Sequence, residues 1–265
     1  MPMKFDPLTT DKPQHHIRCL PGDVADKVLL PGDPKRAELI AGLLADARHV
    51  ATNREYTTYT GTYRGMPVSV TSTGIGCPSA AIAIEELTSV GAKTLIRTGT
   101  SGSMSPDVGP GEVIVGTAAI REEGTGTSYL PIEFPAVADL DVTYCLRAAA
   151  QALGLPVRVG VLHSKDSFYS HRDPDRLPVA QEMRGKRAAW KAGGALASEM
   201  ESSTLFVLGS MLGVRTGSIC LVASSHDAST RLTPEESEHL VGRVVTAALD
   251  ALVLHESNAT GGSTR

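Results

Sequence analysis

Short runs rich in Val, Ile and Leu, each closing on Gly, Ser or Thr, recur along the chain: "KVLLPGDP", "VSVTSTGIG", "TLIRTGTSGS", "EVIVGTAAI", "VRVGVLHSKD" and "GSICLVASS". Continuous apolar runs of this length, bounded by turn residues, suit strands buried on both faces. Stretches with helical spacing lie between several of them, at 34–44, 78–90, 140–153, 199–212 and 234–254, and Pro34 and Pro78 open two of these where a first helical turn tolerates proline. Strand and helix alternate, which predicts an α/β fold with a mainly parallel or mixed sheet flanked by helices. No repeat and no Pro/Gly/Ser-rich linker divides the chain. A single domain over 14–255 is expected, with flexible termini at 1–13 and 256–265. The segments 121–135 and 168–179 lack periodicity and are expected to be long loops, of the kind that often cover sites.

A hydrophobic content of 42% supports a substantial core. The 25 basic and 29 acidic residues leave a net charge of -4 with no polybasic run, which argues against nucleic acid or a membrane surface as partner and for small molecules. Cys19, Cys77, Cys145 and Cys220 are scattered, with no metal-ligand spacing, and read as reduced structural thiols of a cytoplasmic protein.

In open α/β sheets ligands bind beyond the carboxyl ends of the strands. Three polar segments are suited to an anion. "LLPGDPKR" offers backbone N–H at Gly32 and a guanidinium at Arg36; "IRTGTSG" offers Arg97, Thr100 and Ser101; "TNREYTT" adds Arg54. Taken singly, an arginine near a strand end is more often a surface or salt-bridge residue than a ligand. "GIGCPS" lacks the third glycine of a dinucleotide fingerprint, and there is no GxxxxGK[ST]. In "LASEMESST", Glu199 and Glu201 flank Met200. Glutamates two apart do not share a helix face, so a loop or a helix start suits them, where they would also complement the helix dipole.

Together, "HIRCLPGDVADKVLLPGDPKRA", "GTYRGMPVSVTSTGIGCPSAAIAIEEL", "IRTGTSGS", "EFPAVADLD", "SKDSFY" and "ASEMESSTLF" resemble, in order, the nucleoside phosphorylase family that includes uridine phosphorylase and the hexameric purine enzymes. The uridine enzymes are the nearer match. The resemblance implies attack of inorganic phosphate on the anomeric carbon of a nucleoside, giving free base and pentose 1-phosphate with no organic cofactor and no metal in the chemistry. It implies a phosphate site of Gly32, Arg36, Arg97 and Thr100, completed by Arg54 from a neighbouring subunit. It places His16, Met200 and Glu201 at the ribose, His16 again from the neighbour, and Ser101, Gly102, Phe168, Arg172 and Glu199 at the base, with Tyr169 beside Phe168. Arg97 and Glu201 are the expected catalytic pair. Glu55, Ile75 and Ser79 match a monovalent cation site at the subunit interface, so potassium is an expected structural ion. Because Arg54 and His16 cross between subunits, a homo-oligomer is expected, a hexamer built as a trimer of dimers.

The base pocket departs from the family pattern. Arg172 and Pro174 stand where uridine enzymes carry a Gln and an Arg, and Ala223 and Ser224 where purine enzymes carry a Ser-Asp pair. His171, Arg172 and Arg176 are candidate substitutes for the first pair, and His226 or Asp227 for the purine acid. A pyrimidine nucleoside is the leading expectation; a purine nucleoside, a hydrolytic nucleosidase and a non-catalytic nucleoside binder are the alternatives.

Overall fold

Residues 12–261, the part of the chain that the computed structural model describes, form a ten-stranded mixed sheet with helices on both faces. Strand β1 (Lys27–Pro31) leads into helix α1 (Pro34–Ala41), and β2 (Ala45–Asn53), β3 (Tyr56–Tyr63) and β4 (Met66–Thr71) follow as an antiparallel meander. Helix α2 (Cys77–Ser89) crosses to β5 (Thr94–Ser103), followed by β6 (Val113–Glu122), a short β7 (Ala136–Val137), α3 (Leu140–Ala152) and β8 (Val157–Lys165). The chain then runs through α4 (Phe168–Arg172), α5 (Ala180–Ala192), β9 (Ala197–Glu199), α6 (Ser202–Leu212), β10 (Arg215–Ser224) and α7 (Pro234–Gly261). All six apolar runs are strands of this sheet.

The strand order is β10-β6-β8-β9-β5-β1-β4-β3-β2, and β10 also pairs with β5. Strands β5, β9, β8, β6 and β10 therefore close a ring, from which β1 to β4 extend as an open wing. β1, β5 and β10 are parallel neighbours, while β6 runs antiparallel to β10. Successive strand residues face opposite sides, so Val28 and Leu95 pack with α2 and α6 whereas Leu29 and Ile96 pack with α1, α3 and α7. No helix among the described residues is long and apolar enough to cross a membrane.

Four differences from the sequence expectation have physical causes. Strands β2 and β3 are Thr-, Arg- and Tyr-rich, and β2 is the outer edge of the wing, mostly exposed, so it lacks a core pattern. The 168–179 segment is not a bare loop: Ser167 caps α4, accepting from Ser170 N–H at 3.3 Å, and a 3-10 turn follows at Pro174–Arg176. Helix α6 starts at Ser202 rather than 199, because Ala197–Glu199 are held as a strand between β5 and β8. At the carboxyl end α7 continues to Gly261, through a segment expected to be flexible; residues 1–11 lie outside the described part. The 121–135 loop is held down by Arg121, whose guanidinium donates to the carbonyls of Leu130, Pro131, Ile132 and Phe134.

Phe206 of α6 is fully buried against the sheet. Phe206→Ala is expected to cost about 3 to 5 kcal/mol of stability, read as a lowered urea midpoint with an unchanged slope; a midpoint within error of the parent chain would contradict this packing.

Candidate active site

Register places Arg97 of β5 beside Leu30 of β1 and Ser218 of β10, in the middle of the sheet. It is 6% exposed, so its charge needs partners. Its Nε donates to Glu199 Oε2 at 2.8 Å and its Nη2 to Glu201 Oε2 at 2.5 Å. Burial alone would lower the guanidinium pKa, but the two carboxylates outweigh it and hold the group well above its ordinary range. Gly99 leaves room for this geometry, since a Cβ there would lie 2.8 Å from Arg97 Nη2.

Glu199 and Glu201 divide the work at the strand-to-helix junction. Glu199 is fully committed: besides Arg97 it accepts from the Ser164 hydroxyl and from the backbone N–H of Glu201 (2.9 Å) and Ser202 (2.9 Å), so it caps the start of α6. Its carboxylate is fully buried. Glu199, expected at the edge of a base pocket, is among the residues lining the cavity while it holds Arg97 and the helix start. Glu201 accepts from Gly76 N–H at 2.5 Å with one oxygen and from Arg97 with the other. Burial raises its carboxyl pKa against the pull of Arg97. Each carboxylate oxygen has a further lone pair for a ligand hydroxyl.

A cavity of about 900 Å³ opens in front of this network. Most of the residues singled out from sequence line it. Gly32, Arg36, Arg97, Thr100, Ser101, Gly102, Phe168, Arg172, Met200 and Glu201 are among its lining residues, and strand order sets its two ends: Arg36 comes from α1 next to β1, His163 and Lys165 from β8, on the other side of β5 and β9. Arg36 is the informative group at the first end. Its Nη1 reaches only the Thr98 carbonyl, at 3.4 Å, and it forms no ion pair among the described residues. Burial and the nearby Arg97 together lower its pKa, against the weaker pull of Asp33.

The far end is cationic and aromatic. Glu122 Oε2 lies 2.8 Å from His163 Nε2 and 3.0 Å from His171 Nε2. Burial pushes the Glu122 carboxyl up, but the two histidines outweigh it and hold it at about 2. Burial pushes the His163 pKa down, against the pull of Glu122. Its Nδ1 lies 3.0 Å from the Ser198 hydroxyl. Trp190 of α5 stacks on His163 at 4.4 Å between centroids. Arg187, also on α5, ties two segments together by donating to the carbonyls of His171 (2.8 Å) and His226 (2.7 Å).

Arg54 and His16, expected to reach a neighbouring subunit's site, do not line the cavity of their own chain. Arg54 is exposed, at positive φ, in the turn between β2 and β3, and Asn53 beside it donates to the His16 carbonyl at 2.7 Å; the His16 ring is 2.7 Å from Glu86. Asp227 lies at the rim, fully exposed, where hydrogen bonds from Ser225, Ser229 N–H and the Ser229 hydroxyl drive its pKa far below the carboxylate range. Those three hydrogen bonds staple the 225–229 loop. Sequence reasoning missed His163, Lys165 and Arg187 as cavity residues. For the first two a signal existed, polar residues two apart at the end of an apolar strand; Arg187 sits in a polar helix that reads as solvated.

Residues 26–255 match the model of the phosphorylase superfamily. The chain belongs to that family. Membership makes it a pentosyltransferase, an enzyme that cleaves a nucleoside with phosphate. It is 46% identical to a uridine phosphorylase of Treponema pallidum, over 91% of this chain and 93% of that protein. A uridine phosphorylase of Thermococcus kodakarensis is 45% identical over 82% of this chain and 79% of its own length. A guanosine phosphorylase of Halorubrum lacusprofundi is 38% identical over 90% and 98%.

Glu199→Gln is expected to destabilise the enzyme by about 3 to 5 kcal/mol, because it breaks a buried pair and leaves part of the Arg97 charge uncompensated. Chemical denaturation measures it, and an unchanged midpoint would show that Glu199 is not the counter-charge on which buried Arg97 depends.

Proposed function

We propose that the enzyme uses inorganic phosphate to cleave a uridine-like pyrimidine nucleoside, releasing the base and pentose 1-phosphate. The observation that carries this reading is Arg36: a part-buried guanidinium in no ion pair among the described residues, next to an Arg97 that is already neutralised by two carboxylates. Such an end of a cavity favours a dianion. Gly32 N–H and the Thr100 hydroxyl add donors that orient it. Glu201, held by Gly76 and Arg97, faces the same cavity and has acceptor capacity left for ribose hydroxyls, with Met200 beside it. A carboxylate there also stabilises the positive charge that develops on the sugar as the glycosidic bond lengthens.

The relatives support uridine as first substrate, and the guanosine phosphorylase keeps a purine nucleoside as the second reading. No residue of this scheme requires an organic cofactor. Glu55, Ser79 and the Ile75 carbonyl offer hard oxygen atoms at the cavity rim, with Ser79 Oγ 2.9 Å from Glu55 Oε1 and Ile75 77% exposed. Such a donor set suits a potassium ion at a subunit interface. We place the enzyme in the cytoplasm as a homo-oligomer, a trimer of dimers. Arg54 and His16 are joined through Asn53 and turn away from their own cavity, which supports donation to a neighbour's site. Leu140 and Tyr144, one turn apart on α3, are 81% and 66% exposed, an apolar face available for burial.

With uridine, pentose 1-phosphate is expected only when phosphate is present, and Arg36→Ala should lower kcat/KM for phosphate by about 10- to 100-fold. Base release at an equal rate without phosphate would show hydrolysis, and no turnover of any nucleoside would show a binder. Mixing the impaired Arg36→Ala and Arg54→Ala chains, after dissociation and reassembly, should give more activity than either alone, since one kind of mixed site keeps both arginines. A mixture no more active than its components, or a fully active monomer on sedimentation, would refute the shared site.

A further inference from the structure

Lys165 ends β8, and its side chain lines the far end of the cavity. It makes no ion pair among the described residues, and its neighbours explain why. Glu199 is committed to Arg97 and the start of α6, and Glu122 to His163 and His171. The ammonium lies over the Phe168 ring, with Nζ 5.9 Å from the centroid. Elsewhere the chain treats a buried lysine differently: Lys27 is clasped by Asp26 and Glu256, each at 3.0 Å. An ammonium left without a carboxylate inside a cavity, beside an exposed aromatic face, is suited to a planar ligand that carries an electron-rich oxygen.

Strand pairing locates that ligand. Arg97 lies on β5; β9 pairs with β5 at Gly102↔Ser198 and with β8 at Ser164↔Glu199. Lys165 is therefore two strands from Arg97, one residue beyond the level of Glu199, on the side of the cavity away from Arg36 and α1. A nucleoside whose anomeric carbon faces the Arg36 end and whose sugar rests on Met200 and Glu201 points its base at Lys165.

We propose that Lys165 is a catalytic residue whose ammonium donates a hydrogen bond to an exocyclic carbonyl oxygen of the departing base; this rests on the phosphorolytic reading above. A lone pair of a phosphate oxygen forms the C1′–O bond while the electron pair of the C1′–N bond leaves with the base. The base departs as an anion with charge delocalised onto its carbonyl oxygens, stabilised there by the Lys165 N–H, and then takes one proton from solvent. Uracil and guanine both present a carbonyl next to a ring N–H, so one donor serves either base. This accounts for a pocket that carries neither the Gln and Arg of uridine enzymes nor the Ser-Asp pair of purine enzymes. Burial, with repulsion from Arg187, brings the Lys165 ammonium down to about 8, against the weaker pull of Glu199 and Glu122. The charged donor is therefore present below about pH 8 and lost as the pH rises through that value.

The test compares leaving groups. Lys165→Met and Lys165→Arg are assayed against uridine and 5-nitrouridine, and against guanosine and 7-methylguanosine, whose second members leave without help from a donor. Lys165→Met should lose about 100-fold in kcat on uridine or guanosine and less than a tenth of that factor on the activated partner. In Lys165→Arg the basic limb of the pH profile should move upward, because a guanidinium stays charged. An equal loss on poor and good leaving groups, or no loss, or a basic limb unmoved in Lys165→Arg overturns the assignment. Wild-type enzyme that cleaves none of the four with phosphate overturns the phosphorolytic reading itself, whereas an active wild type with indifferent variants overturns Lys165 alone. Should Lys165→Met fail to fold, the pH limb of Lys165→Arg still decides.

Discussion

A guanidinium in the middle of a β-sheet sets the terms for the rest of this molecule. Arg97 is held in the sheet only because Glu199 and Glu201 approach it together, and those carboxylates in turn require the Ser164 hydroxyl, Gly76 N–H and the first amides of α6. The short strand β9 exists to deliver them: three residues, paired on both sides, close the ring and aim the next turn of chain at the cavity. A buried ion network of this kind contributes little net stability compared with a well-packed apolar core. Its value lies in geometry, since it presets the positions of Glu201 and Arg97 before any ligand arrives.

The legible part of the sequence was the part where burial imposes a pattern. Each apolar run is a strand because its residues face helices on both sides of the sheet, so no polar alternation interrupts them. β2 and α5 escaped because they are largely exposed and carry no apolar stripe of that kind. At the site, the anion end was legible as arginine and glycine at strand ends. The "EME" element was legible as a pair, but not as a division between a capping carboxylate and a ligand-facing one, which depends on whether Glu199 stays in the strand. The far end was the least legible. His163, Lys165 and Arg187 come from two elements that only the ring of strands and the return of α5 bring together.

The two ends of the cavity share one electrostatic trait that its middle lacks. Arg97 is ion-paired to two carboxylates, while Arg36 and Lys165, at opposite ends, form no ion pair among the described residues. A cavity with an uncompensated cation at each end and a carboxylate on the wall between them is matched to a reaction whose nucleophile enters as an anion and whose leaving group departs as one, with positive charge arising on the sugar in the middle.

Arg187 has a consequence of its own. By holding the His171 and His226 carbonyls with one guanidinium, it makes two segments far apart in the chain into a single mechanical unit. Substitutions in one segment then alter the background on which substitutions in the other act, and their effects combine as epistasis rather than as a sum.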